Sequence, residues 1–472
     1  MKLNQGDTAY DFLAVLCSML PKEQERKCAI KWKTAGYNKV EKAIKEYQKY
    51  VDIILKSSLE QYALDDQAVC QINQFLEQAE EPDEQMMNEI YLLAVRIEKQ
   101  LSACTELICE GMVTRLKPLN RNYRETGISI YPYFAPEWDT GKSERNREYL
   151  LNTEFANHIM IRAEDESPFE IAMHYWNDTG LLRRAEQGWS LKIAITPVHD
   201  SLTLKTREEE LEEGTVLCVE GVEDEEKVEE RIQRIFATLF TGEYSIIIFP
   251  EAVGTAKVEE KIKETMRFHP EYCTFVLLPT YCENGDNILT VLGPGGLEVL
   301  RTKKGTPFIM QEDTGILKRE KLNYTNVLNI LVTRELGNVA FPVCAELVDP
   351  ACYDVLCRVG RADTILCPSY SPGIGAFEKT LMKGIAAMMM GVWVNTCSAR
   401  YVSRSGNVSD VVGMVQIPDG GPEGETLHRI RRECSGKCRE SGCFFEIVIT
   451  CEEKTFRVQS KMYDVYRMGG VS

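Results

Sequence analysis

Three side-chain types stand at the ends of strongly apolar or hairpin-like runs, far apart in the chain. Tyr244–Glu251 reads YSIIIFPE, a wholly apolar strand that delivers a carboxylate. Gly337–Glu346 reads GNVAFPVCAE and delivers Cys344 in the same way. Between them Asn287–Phe308 (NILTVLGPGGLEVLRTKKGTPF) has a Gly-Pro-Gly-Gly turn at 293–296 and carries Lys303 and Lys304 at its far end. A cysteine, a glutamate and a lysine are the parts for acyl transfer. The cysteine needs a base to take its proton, and a carboxylate in hydrogen-bond reach can do so. An ammonium group beside it stabilises the thiolate and then the oxyanion of a tetrahedral intermediate. The backbone N–H of Ala345, one residue past the cysteine, is the expected second oxyanion donor.

Each residue also has an ordinary reading. A thiol packs as a small hydrophobe, and the chain has 17 cysteines. Glu251 could cap the next helix, although a carboxylate that ends an apolar strand is costly to bury unless it is used. Glu346 reads as an acid that anchors the turn after the cysteine.

The elements that must position these groups follow from periodicity. Residues 1–118 carry helical spacing at Lys39–Leu55 and Met86–Leu107, with Glu81-Pro82-Asp83 as a helix start. A helical bundle domain is expected there. Residues 119–187 are mixed, with an extended piece at Ile128–Phe134 and a helix near Glu170–Tyr175, and read as a connector or lid. From residue 188 to 472, short β-rich runs alternate with helical ones, which predicts a layered α/β architecture. Strands are expected at Leu191–Val198, Tyr244–Phe249 and Val339–Val343, and a helix at Lys379–Gly391.

Phe249-Pro250-Glu251 and Gly337…Cys344-Ala345-Glu346 do not stand alone. Upstream lies Lys192-Ile193-Ala194-Ile195; downstream lie Gly360-Arg361-Ala362-Asp363 through Pro368-Ser369 and the strand Val392–Asn395. In this order they resemble the nitrilase, or carbon–nitrogen hydrolase, superfamily, whose members use a Glu–Lys–Cys triad. The resemblance covers about 188–400. It implies an α-β-β-α sandwich for residues 188–472, with Glu251 as base then acid, Cys344 as nucleophile and a lysine on the oxyanion. Side chains alternate along a strand, so only one of Lys303 and Lys304 can face the pocket. Lys304 is taken because it directly precedes the Gly305-Thr306-Pro307-Phe308 turn; Lys318 and Lys321 are remoter candidates. Many members carry a further glutamate before the cysteine strand, and Glu320 matches it best. Ala345 stands where a large residue is common, and Pro342 lies two residues before Cys344. Both bear on substrate shape, as does the loop that starts at Tyr370. The resemblance implies an amide or nitrile substrate, no metal or organic cofactor, and a homodimer or larger assembly.

Composition bounds the alternatives. With 55 Lys and Arg against 72 Asp and Glu, the net charge is −17, which disfavours nucleic-acid binding over the average surface. No run reaches the roughly 18–20 apolar residues of a membrane span, and the first apolar stretch, Phe12–Leu20, lacks the marks of an export signal. The cysteines are then expected as thiols in a cytoplasmic protein. The spacing Cys434, Cys438, Cys443, Cys451 is too loose for a zinc knuckle. Two other functions remain open. One is an N-acyltransferase of the same fold. The other is a nitrilase-fold sensor or effector module, as in some bacterial defence proteins, with residues 1–118 binding a partner protein.

Overall fold

The structure is a computed structural model. It describes the chain apart from residues 35–44, 46–47, 53–62, 102–112, 140–154, 167, 178–179, 199–202, 213, 271–274, 312–316, 372, 385–387, 397–409, 419–425, 433–441, 454 and 466–472. The helix expected at Lys39–Leu55 lies mostly outside the described residues, as do Cys434 and Cys438.

The first hundred residues include helices Ala9–Ser18, Lys22–Thr34, Asp66–Gln78 and Glu84–Gln100. Three of them start at side-chain caps: Thr8 in a reciprocal capping box with Asp11, Asp65 on the Ala68 amide, and Asp83 on the Met86 amide. Their apolar faces meet in one core around Phe12, Leu16, Ile72, Ile90 and Ile97. That core does not close at residue 118. Ile128, Ile130, Phe155 and Met160 complete it from the antiparallel strand pair Ile128–Pro132 and His158–Arg162 and the chain around it.

Among the described residues the rest is built on two large sheets and a four-stranded one, in the order Ile309–Gln311, Leu317–Glu320, Gly214–Val222 and Leu204–Leu211. One has eight strands, in the order Val113–Arg115, Glu170–Trp176, Val327–Val332, Asn338–Ala340, Thr364–Ser369, Met390–Asn395, Val411–Gln416 and Leu427–Arg431. In the nine-stranded sheet, Phe275–Leu277, Ile246–Ile248, Gly188–Ile195 and Cys443–Glu452 lie side by side. Alternation along the strands sorts side chains between two cores. Ile193, Ile195, Ile246 and Ile248 point into the core shared with Val339, Ile365, Val392 and Val394 of the other sheet. Ala194 and Ile247 point the opposite way, onto helices Glu225–Phe240 and Ala256–Arg267 through Ile232, Ile235, Phe236 and Ile262. On the far side of the eight-stranded sheet, helix Gly375–Gly384 packs Phe377 onto Trp393 with ring centroids 5.2 Å apart.

Three expectations change. The stretch near Glu170–Tyr175, read as helix, lies in a strand, Glu170–Trp176, paired in parallel with Val327–Val332. It is apolar and aromatic and buried on both faces, so it carries no periodicity to tell strand from helix. This strand and Val113–Arg115 lie inside the large sheet, so the sheet reaches well before residue 188, and the stretch read as a connector supplies part of it. The helix expected at Lys379–Gly391 sits earlier, at Gly375–Gly384, with a strand beginning at Met390. Gly391 faces that helix so closely that a Cβ there would lie 2.7 Å from Leu381 Cδ2.

Candidate functional site

Glu251 follows the strand Ile246–Ile248, which is hydrogen-bonded in parallel to neighbours on both sides. Phe249 and Pro250 carry the chain off the sheet edge, and Ala252 adopts φ 60° with its amide on Thr280 Oγ1 at 2.8 Å. The carboxylate is held inward and nearly fully buried. Its Oε1 accepts from Lys304 Nζ at 2.8 Å and Asn287 Nδ2 at 2.9 Å; Oε2 accepts from the Tyr370 amide at 2.9 Å.

Lys304 directly follows the hairpin strand Glu298–Lys303, and its amide donates to Asn287 O at 2.9 Å. The two lysines diverge as alternation requires. Lys303 is 52% exposed and pairs with Asp286 at 2.6 Å, whereas the Lys304 side chain is 0% exposed. The Lys304 ammonium is gripped a second time by Glu320 Oε2 at 2.7 Å. Glu320 ends the strand Leu317–Glu320, which pairs in parallel with Gly214–Val222, the inner strand of a hairpin whose outer strand, Leu204–Leu211, is acidic. Glu320 Oε2 also accepts from the Phe308 amide at 3.0 Å. Lys318 and Lys321 are engaged elsewhere, with Glu208 and Glu209.

Cys344 sits on an elbow between the strand Asn338–Ala340 and the short helix Ala345–Val348. Its backbone has φ 48° and ψ −107°, a conformation that costs a non-glycine residue roughly 1–3 kcal/mol and is retained where surrounding contacts enforce it. The Cys344 amide donates to Pro368 O at 2.9 Å, and the thiol faces Tyr370 O at 3.9 Å. Ala345 opens the helix immediately after the sulfur.

The elbow is tied to the lysine by one carboxylate. Glu346 Oε1 accepts from the Gly305 amide at 2.6 Å and Oε2 from the Val343 amide at 2.7 Å. It joins the residue after Lys304 to the residue before Cys344. A second brace works on Tyr370: Asn395 accepts from the Ser371 amide at 2.9 Å and donates to Ser371 O at 2.8 Å. Asn287, Glu346 and Asn395 are therefore parts of the constellation alongside the six residues singled out from sequence. Asn395 was visible only as a strand end, and Glu346 only as a turn anchor. Asn287 had no signal of its own, since hairpin asparagines are commonplace.

The electrostatics follow from burial. Desolvation raises the Cys344 thiol well above its ordinary value; the charge of Glu251 and a hydrogen bond with it add to the rise, against Lys304. The resting sulfur is thus a thiol that needs a base. Burial alone would push Lys304 down, but Glu251 and Glu320 together hold it well above its usual range. Glu320 is raised by burial, in part offset by Lys304. Burial lifts Glu346 to about 7 against its two amide donors. Among the described residues no cluster of His, Cys, Asp and Glu has the make-up of a metal site, and no helix is long and apolar enough to cross a membrane.

No family model matches the chain, and no curated protein matches it. In structure it is similar to an amidase from Nesterenkonia sp., at 12% identity and TM-score 0.37, over 58% of this chain and 94% of that one. A variant described as Nesterenkonia AN1 amidase from the nitrilase superfamily gives 12% and 0.36 over the same shares. Another variant of that amidase, with an acetamide moiety added covalently at its active-site cysteine, gives 12% and 0.35. Likenesses of this size carry no argument about function, which has to rest on the site.

Proposed function

We propose that the chain is a nitrilase-type carbon–nitrogen hydrolase that cleaves a non-peptide amide or nitrile through a thioester on Cys344. The observation that carries this reading is the burial of one ammonium between two carboxylates, with a buried thiol facing the residue that holds one of them: Lys304 lies between Glu251 and Glu320, and the Cys344 thiol faces Tyr370 O at 3.9 Å while the Tyr370 amide donates to Glu251 at 2.9 Å.

For an amide the steps balance as follows. Cys344 Sγ attacks the carbonyl carbon while Glu251 accepts the thiol proton. The Lys304 ammonium and the Ala345 N–H hold the oxyanion. The C–N bond breaks as Glu251 returns the proton to the departing amine. Water, deprotonated by Glu251, then attacks the thioester; the acid leaves and the thiol is restored. Glu320 keeps Lys304 charged and aimed, and Tyr370 fixes Glu251 through its backbone. Every group comes from this chain, so the reading calls for no cofactor. A small uncharged amide or nitrile suits a site whose own carboxylates exceed its ammonium.

Ammonia release from a panel of amides and nitriles tests it, with wild type against Cys344→Ala. Turnover by wild type that vanishes in the variant supports the reading; equal turnover by both defeats it.

A further inference from the structure

A second concave site lies away from the catalytic residues, where the helical core and the sandwich meet. Val113–Arg124 reads VTRLKPLNRNYR: four cations and no acid in a chain of net charge −17. Its first residues form an edge strand on Glu170–Trp176, and the Leu116 amide donates to Met173 O at 2.9 Å. Its later residues are pinned to the helical core. The Arg121 and Asn122 amides donate to Asp11 Oδ1 at 2.6 and 3.0 Å, and the Leu119 amide donates to Ile130 O at 2.8 Å.

The bend between these anchors encloses a cavity of about 460 Å³. Residues 171–173 of the strand Glu170–Trp176 line it, with Arg115, Lys117 and Arg124 and with Tyr123, Ser129 and Glu170. Among the described residues that line the cavity Glu170 is the one acid, with its carboxylate 3.7 Å from the Arg115 guanidinium. Lys117 and Arg124 form no ion pair with a described residue, and Arg124 lies over the Tyr123 ring at 5.6 Å. Gathering like charges on a rigid loop costs Coulomb energy, and a polyanion reverses that cost. The volume lies within the range of small-molecule sites, and junctions between packed units are where such sites concentrate.

We propose that this cleft binds a phosphorylated small molecule, with Arg115, Lys117 and Arg124 on the phosphate oxygens and Tyr123 beside the remainder. Three cations exceed what a single carboxylate needs and match a phosphate or diphosphate group, for which guanidinium forks are geometrically suited. The strand Glu170–Trp176 pairs with Val327–Val332, which pairs with the strand leading to Cys344. A ligand there would bridge the helical core to the sheet that carries the elbow.

Isothermal titration of the full chain with inorganic pyrophosphate at low ionic strength tests the proposal, with acetate as a monoanion control. The expected result is saturable pyrophosphate binding that weakens with added salt. It should weaken about tenfold or more in the Arg115→Ala/Lys117→Ala/Arg124→Ala variant and about threefold in Lys117→Glu, a single exposed change that keeps the test open should the triple variant fold poorly. No saturable binding by wild type overturns it, as does unchanged affinity in Lys117→Glu, or acetate binding as tightly as pyrophosphate. The measurement does not involve amide turnover, so its failure and failure of the hydrolase reading are separate outcomes.

Discussion

Two buried glutamates eight residues apart, Glu251 and Glu259, are served by the same hairpin and end in different chemistry. Asn287 and Lys304 reach Glu251; Thr290 and Arg301 reach Glu259, with Lys263 adding a contact at 2.6 Å. Around Glu259 the charges balance. Lys263 and Arg301 also pair with Glu298, and Arg301 is 38% exposed. Around Glu251 two carboxylates share one wholly buried ammonium, and a thiol adjoins them. Burying a glutamate with a cation is therefore not what makes a site. The distinguishing features are an excess of carboxylate over ammonium, full enclosure, and a thiol on a strained elbow. The first network locks a helix to a hairpin; the second, on the proposed reading, moves a proton.

The largest effect expected from this contrast is at the sulfur. Cys344→Ala should lower amide turnover by about 10⁴-fold or more, and Glu251→Gln should come close, because residues acting as a unit fail together. Glu251→Gln should also abolish preferential alkylation of Cys344 among the thiols, read by peptide mapping, because the resting thiol depends on that base. Glu259→Gln should instead leave kcat within about threefold while lowering Tm by several degrees, since it breaks a buried network remote from the sulfur. Comparable loss of turnover in both glutamine variants would break the comparison.

The hairpin supplies the next test. Lys304→Ala should cost roughly 10²–10³ in kcat, the range for loss of one oxyanion donor, whereas Lys303→Ala should change it by less than about twofold. Steady-state rates with one substrate decide it, and a reversed order would place the wrong lysine in the site.

The smallest effect concerns pH. Burial lifts Glu346 and Asp363 each to about 7 from ordinary values of 4.5 and 3.8. The folded chain therefore holds these protons more tightly than the unfolded chain does. The stability they contribute is complete below the unfolded values and is lost as pH rises to about 7. The Tm advantage of wild type over Asp363→Asn should shrink by roughly 3 °C between about pH 4.5 and pH 7.5, measured by calorimetry. An advantage that grows over that interval would contradict the assignment. Asp363 is a suitable probe because it bonds Tyr133 and the Asn338 amide, outside the catalytic cluster.

Much of the site was legible before any fold. Apolar runs ending in Glu251 and Cys344 are local, short and chemically costly unless used, so they stand out one by one. The choice of Lys304 over Lys303 was half legible. Alternation says that one must turn in, but only the anchoring of Lys304 to Asn287 says which. The strand Glu170–Trp176 was misread because a segment buried on both faces has no period. The hairpin that holds Glu320 went unseen because its outer strand, Leu204–Leu211, is rich in glutamate, a residue of low intrinsic strand preference.

The sequence by itself determined which residue types could do the chemistry, the layered α/β texture and the helical start, because these depend on neighbours within a few positions. Only the tertiary structure decided that Asn287, Glu346 and Asn395 join the constellation, that one core draws in residues on both sides of 118, and that Arg115, Lys117 and Arg124 face one cleft. Those outcomes depend on contacts between segments tens to hundreds of residues apart, where packing and desolvation choose among partners that no local pattern ranks.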